Sequence, residues 1–129
     1  MANLRIGKMS VLMLILASVV LAVFGQLSLK RGMANVGTLS VNDLLTSRIF
    51  SVITEKFVIF GLMLYFVASG LWLVVLSREE LSFAYPLIAL GYVFTAILAK
   101  VLFNESLTLV KVMGILLIVA GAYLIVLKI

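Results

Sequence analysis

The sequence predicts an all-α membrane protein with four transmembrane helices, at about 10–29, 57–77, 81–99 and 108–127. An amphipathic interfacial helix is expected at about 41–54, and the whole is read as a single domain, residues 1–129. Two observations carry this reading. Hydrophobic residues make up 65% of the chain, against roughly 45–50% in soluble domains, and the mean hydropathy is +1.35. Three runs, Ser10 to Leu29, Phe57 to Ser77 and Leu81 to Ala99, carry no charge at all. At ~1.5 Å per helical residue each crosses a hydrocarbon core of roughly 30 Å.

The same composition excludes several functions. With no cysteine and no histidine, disulfides, thiolate or histidine zinc sites and a Ser-His-Asp triad are ruled out, and no metal or cofactor is expected. The net charge of +5 is scattered over loops without a basic run interleaved with aromatics, which fits lipid headgroups and not nucleic acid. The sequence has no paired intramembrane acids, glycine-rich phosphate loop or nucleophile elbow, so an enzyme is not expected.

The first span follows a short basic flank holding Arg5 and Lys8. It is too long for a signal peptide and lacks a small-residue cleavage site, so it is expected to be retained. Ser18, Ala22 and Gly25 give it a face of small residues that lets another helix approach closely. Near its end Gln26 and Lys30 stand at i and i+4, so both leave one face. In lipid such polar groups must find protein, water or a headgroup. Lys30-Arg31-Gly32 reads as a helix C-terminus, cations on the negative dipole end with glycine beyond. In the polar connection that follows, Val41, Leu44, Leu45, Ile49, Val52 and Ile53 recur with a helical period, capped by Ser40 or Asn42. That pattern predicts a helix lying in the membrane interface.

Phe57 to Ser77 forms the second span, with Tyr65 and Trp72 as its amphipathic rings. The minimal turn Arg78-Glu79-Glu80 returns the third span antiparallel. Here Pro86, the only proline, removes a backbone donor, and Gly91 adds a second soft point, so a kink is expected. Interrupted helices are where transporters place substrate. A short loop with Glu105 ends in a Thr108 cap. In the fourth span Gly114 and Gly121 lie seven apart and form a groove for another helix. Four such helices enclose no large polar pathway, so a homodimer or a heterodimer with a similar subunit is expected. The remaining chemistry is electrostatic: Lys30, Arg31 and Lys100 for an anion, Glu105 or Glu79 and Glu80 for a cation.

The order of spans and several motifs resemble the four-helix branch of the drug/metabolite transporter superfamily, over almost the whole chain. Gly114-Ile-Leu-Leu-Ile-Val-Ala-Gly121 looks like the glycine-heptad dimerisation motif of small multidrug resistance transporters, and Ser82-Phe-Ala-Tyr85 matches the start of their third helix. Their first-helix glutamate has no counterpart, since Ala22 stands in its place. A closer likeness is to the undecaprenyl-phosphate–aminoarabinose flippase subunits. It is carried by Gly25-Gln26-Leu27 with Lys30, by Leu71-Trp72-Leu73-Val74-Val75-Leu76, by Ala84-Tyr85-Pro86-Leu87, and by Glu105. The likeness implies a flippase, or a subunit of one, that moves a polyprenyl-phosphate-linked sugar across the cytoplasmic membrane. It implies that Lys30 and Gln26 hold the lipid phosphate with Lys100 or Arg31 assisting, that Glu105 faces the sugar, and that Tyr85 and Trp72 line the headgroup path. Two other readings stay open: a small multidrug or guanidinium-type cation exporter, and a non-transporting partner subunit of a membrane complex.

Overall fold

The computed structural model describes residues 2–127, with side chains from residue 7. It is all-helical, with no strand among the described residues. The long helices are α1 (Ala2–Val36), α3 (Lys56–Leu76), α4 (Leu81–Phe103), which includes a 3₁₀ stretch, and α5 (Leu109–Leu127), and a short α2 (Arg48–Ile53) lies in the connection between α1 and α3. All four long helices are of a length and apolarity that cross a membrane. Their outward residues, Met13, Phe66, Val101 and Leu117 among them, are large, apolar and exposed, as a lipid-facing surface requires.

The centre of the bundle is α1. Val11, Ile15, Val19, Val23 and Leu27, spaced by four residues, form a buried stripe against Val75, Ala84 and Leu87. A second stripe of small residues packs α1 onto α3. A methyl group added at Gly61 would meet the Gly25 carbonyl oxygen at 2.8 Å and Leu29 Cγ at 2.8 Å; one added at Gly25 would meet Tyr65 and the Gly61 oxygen. Ser28 Oγ donates to the Phe57 carbonyl at 2.6 Å across the same seam. Close backbone approach of this kind, with polar atoms paired inside it, holds helices together where lipid removes the hydrophobic drive. The small face that includes Ser18, Ala22 and Gly25 is therefore the α1–α3 contact.

The boundaries differ from the sequence expectation at several points. Lys30-Arg31-Gly32 is not a helix end, because α1 continues to Val36. Gly32 sits where any side chain would strike Val58 and the Glu55 carboxylate. The terminator is Gly37, at φ +92°, whose N–H donates to the Met33 carbonyl at 2.9 Å, a conformation that suits glycine. The connecting segment is also not one helix over 41–54. It divides into a 3₁₀ turn, Val41–Leu45, and α2. Asp43 accepts from the Ser40 N–H and hydroxyl, while Thr46 Oγ1 donates to the Asp43 carbonyl and accepts from the Arg48 N–H. These local bonds offer the backbone an alternative to a continuous helix. Of the two expected caps, Ser40 is the one used.

Within α4 the chain passes from an α-turn, Leu81–Ala84, into a 3₁₀ stretch, Tyr85–Ala89, with Pro86 at its start, and then into the regular helix Leu90–Phe103. Gly91 is buried in that regular helix, where an added methyl would lie 3.2 Å from Val19. The helix runs four residues beyond the expected end, which places Lys100 in its last turn and not in a loop, a favourable site for a cation. It closes on Asn104, in the left-handed region at φ 54°. Thr108 caps α5, with Oγ1 accepting from the Lys111 N–H at 3.3 Å. Of the α5 residues described, only Ala122 is buried.

Candidate functional site

The α1 face that carries Ser18, Ala22, Gln26 and Lys30 runs beside α3 and toward α4, and polar groups gather along it. Ser18, Val19 and Ala22 line a cleft of about 150 Å³ with Tyr65, Ala68, Ser69 and Trp72 of α3 and Ile88 of the 3₁₀ stretch. The smallness of residues 18 and 22 opens this space. The walls carry few free polar atoms, since Ser18 Oγ donates to Ile15 O and Ser69 Oγ to Tyr65 O, each at 2.8 Å. One turn further, Gln26 lies beside the Tyr65 side chain. Another turn on, Lys30 Nζ lies 3.5 Å from Glu105 Oε1 in the loop after α4. The cleft itself is apolar and aromatic, and the Lys30–Glu105 pair lies two helical turns, roughly 12 Å, beyond Ala22 along α1.

The Lys30–Glu105 pair is open, its side chains 61% and 45% exposed. Exposed ion pairs are worth at most about 1 kcal/mol, so a charged ligand can exchange with either partner without disturbing the fold. On the other side of Glu105, the loop and α5 enclose a groove of about 300 Å³ lined by Ala99, Ser106, Lys111 and Gly114. Lys111 Nζ donates to the Ser106 carbonyl at 2.9 Å.

The remaining candidates are spread over the bundle. Trp72 lines the cleft, half-buried. Tyr85 is 63% exposed at the start of the 3₁₀ stretch, fifteen residues before Lys100 and so roughly 20 Å from it along α4. Lys100 forms no ion pair or hydrogen bond among the described residues and stands apart from the Lys30–Glu105 pair. Arg31, about 100° around α1 from Lys30, lines a different groove with Phe24, Phe57 and Phe60. Nothing lies within 4 Å of a methyl added at Gly114 or Gly121; Gly121 is exposed and Gly114 borders the Glu105 groove. The start of α1, the α3–α4 turn and the end of α5 meet at the opposite end of the bundle, where Lys8, Glu79, Phe83 and Val126 share a groove.

Comparison with known proteins places this architecture. The EamA-like transporter family model matches residues 8–127. The chain belongs to the EamA-like transporter family. Curated relatives include three named probable 4-amino-4-deoxy-L-arabinose-phosphoundecaprenol flippase subunit ArnF. That of Photorhabdus laumondii is 36% identical over 118 residues, covering 85% of this chain and 91% of the relative. That of Proteus mirabilis is 37% identical over 115 residues, 85% and 86% of the two chains, and that of Serratia proteamaculans 35% over 112 residues, 84% and 86%. No solved structure gives a significant match.

In this EamA-like transporter, sequence reasoning missed three structural participants. Tyr65 packs against Gly25 at the α1–α3 seam besides lining the cleft. Gly61 sets the α1–α3 approach; a lone glycine inside an apolar run was its available signal. Glu55 caps α3, its carboxylate accepting from the Phe57 and Val58 N–H groups at 2.7 and 3.0 Å and from Asn35 Nδ2 at 3.1 Å. Burial pushes the Glu55 pKa up, but the bonds from Asn35, Val58 and Phe57 outweigh it and hold the carboxyl below its ordinary value of 4.5. The end of α1 is thereby tied to the start of α3, directly behind Lys30 and Arg31.

Proposed function

We propose that this chain is a subunit of a lipid-linked-sugar flippase of the cytoplasmic membrane, acting on a polyprenyl-phosphate-linked amino sugar such as 4-amino-4-deoxy-L-arabinose-phosphoundecaprenol. The observation that carries the reading is the Lys30–Glu105 pair, on the α1 face that also lines an aromatic cleft two turns away, in a chain whose relatives over most of their length are named flippase subunits. Such a substrate bears a phosphate and an ammonium close together. Lys30, supported by Gln26, meets the phosphate through charge-assisted hydrogen bonds, and Glu105, released from Lys30, meets the ammonium. One exposed ion pair is exchanged for two, so the headgroup enters with little net loss of electrostatic energy. Tyr65 and Trp72 line the way inward, and Tyr85 stands at the far end of it. The polyprenyl tail stays in lipid. The 3₁₀ stretch at Pro86 lets α4 flex beside the cleft. Since one four-helix chain encloses only a cleft, a second subunit, identical or similar, completes the path, with the open Gly114 and Gly121 face as its contact.

The test is thermal stability of the purified protein with undecaprenyl phosphate or tetraphenylphosphonium, for wild type and Lys30→Ala. A ligand that binds only the folded state at about 100 times its dissociation constant stabilises by ~2.7 kcal/mol. Stabilisation by the lipid phosphate that vanishes in Lys30→Ala is the expected result. Stabilisation by the organic cation alone overturns the reading in favour of a cation exporter.

A further inference from the structure

Arg31 follows Lys30 in sequence but serves a different surface. At 100° per residue it lies about 140° around α1 from Gln26, so it stands clear of the cleft that holds Tyr65 and Trp72. It forms the rim of a groove of about 350 Å³ walled by Phe24 and Leu27 of α1, Phe57 and Phe60 of α3, and Leu102 and Phe103 at the end of α4. The one other polar residue in the wall, Ser28, already donates its hydroxyl hydrogen bond to the Phe57 carbonyl at 2.6 Å. Arg31 itself has no ion pair or hydrogen bond among the described residues. Phe24 and Phe60 are more than half exposed, so the groove opens sideways to the bilayer. Here a single uncommitted guanidinium stands over an aromatic slot at the end of the membrane-spanning helices.

We propose that the Arg31 groove is a second binding site for a polyprenyl phosphate, in which Arg31 takes the phosphate and the phenylalanine walls take the first isoprene units. For the identity of the lipid this rests on the flippase reading; the site itself is separate from the cleft. The chemistry fits at both ends. A guanidinium offers a planar fork that grips phosphate in a bidentate manner. Four phenyl rings and two leucines offer an apolar wall with no unsatisfied polar atom to be desolvated by the chain. With Arg31 on the same helix turn as Lys30, the groove holds carrier lipid near Lys30 from the bilayer side.

Site-directed photo-crosslinking tests this, with p-benzoylphenylalanine introduced at position 60, in the groove, or at position 72, in the cleft. The probes are alkyne-tagged undecaprenyl phosphate and phosphatidylglycerol carrying the same tag, presented in proteoliposomes. We expect undecaprenyl phosphate to label position 60, Arg31→Gln to lower that labelling about tenfold or more, and Lys30→Gln to leave it in place. Labelling at position 72 alone overturns this proposal and leaves the flippase reading standing. Equal labelling of position 60 by phosphatidylglycerol, or labelling unaffected by Arg31→Gln, makes the groove a general lipid contact and also overturns it. Failure of undecaprenyl phosphate to label either position overturns both readings. If Arg31→Gln does not fold, Arg31→Lys decides: it keeps the charge but loses the fork, and wild-type labelling in that variant overturns the proposal.

Discussion

Gly25 and Gly61 face each other across the α1–α3 seam so closely that each carbonyl oxygen occupies the space a methyl group on the other residue would need, at 2.8 Å for Gly61 and 3.1 Å for Gly25. Both obstacles are backbone, which cannot rotate away as a side chain does.

Gly61→Ala should therefore separate the two helices and destabilise the fold by on the order of 1–3 kcal/mol, as overpacking of a tight contact does. Gly70→Ala on the same helix, where nothing lies within 4 Å of the added methyl, should leave the melting temperature unchanged or slightly raised. Thermal unfolding of both variants in one detergent checks the contrast. Equal melting temperatures would remove the seam from the account.

Glu105→Gln releases Lys30 from its partner. The exposed pair is worth at most about 1 kcal/mol, so the fold should persist. The two ligand ends respond in opposite directions: affinity for bare undecaprenyl phosphate should rise several-fold, while the preference for an aminosugar-bearing lipid over the bare phosphate should be lost. Titration of both lipids against wild type and variant measures this, and a parallel loss of both affinities would remove Glu105 from its assigned role.

Glu55 predicts a pH response. Its carboxyl is held below the ordinary 4.5 by the bonds from Asn35, Val58 and Phe57, so the folded state favours the ionised form more than the unfolded state does. The resulting stability is fully present above pH 4.5 and is lost as pH falls through the lower folded value. Melting temperature against pH should fall in this acid window for wild type and fall less for Glu55→Gln, which should also start lower because its α3 cap is weaker. Curves of identical slope would show that the Glu55 bonds contribute nothing.

Gly114→Leu probes the partner surface. With nothing within 4 Å of an added Cβ and a groove of about 300 Å³ beside it for the rest of the side chain, monomer stability should change little while association with a second subunit is lost. Crosslinking yield set beside the melting temperature separates these outcomes. Unchanged association would move the contact elsewhere.

The four spans were legible because their long apolar runs leave no other stable arrangement in lipid. Their ends were less so. Charge at Lys30 and Arg31 marks where the helix leaves hydrocarbon, not where its hydrogen bonding stops, and α1 runs on to Gly37. The six apolar positions between Val41 and Ile53 do follow a helical period, yet Asp43 and Thr46 redirect the backbone through local bonds that a periodicity count does not see. Within the candidate site, Gln26, Lys30 and Glu105 could each be singled out by residue type and position. Pairing Lys30 with Glu105, or placing Tyr65 beside Gly25, depends on how α1 lies against α3 and α4, and that is set by Gly25, Gly61 and Gly91. Gly114 and Gly121 were visible by their spacing, which is silent on whether the face turns inward or outward.

The uneven packing around α1 also has a mechanical consequence. The first two long helices are joined by interlocking glycines, a serine-to-carbonyl bond and the Asn35–Glu55 tie, whereas α5 buries little more than Ala122 and is flanked by grooves. Drawn out of the bilayer from its C-terminal end, the chain should yield α5 at low force and resist most when α3 is pulled from α1. The same gradient means that the N-terminal pair can assemble as soon as both helices have entered the membrane, leaving the last helix to settle against whatever neighbour it meets.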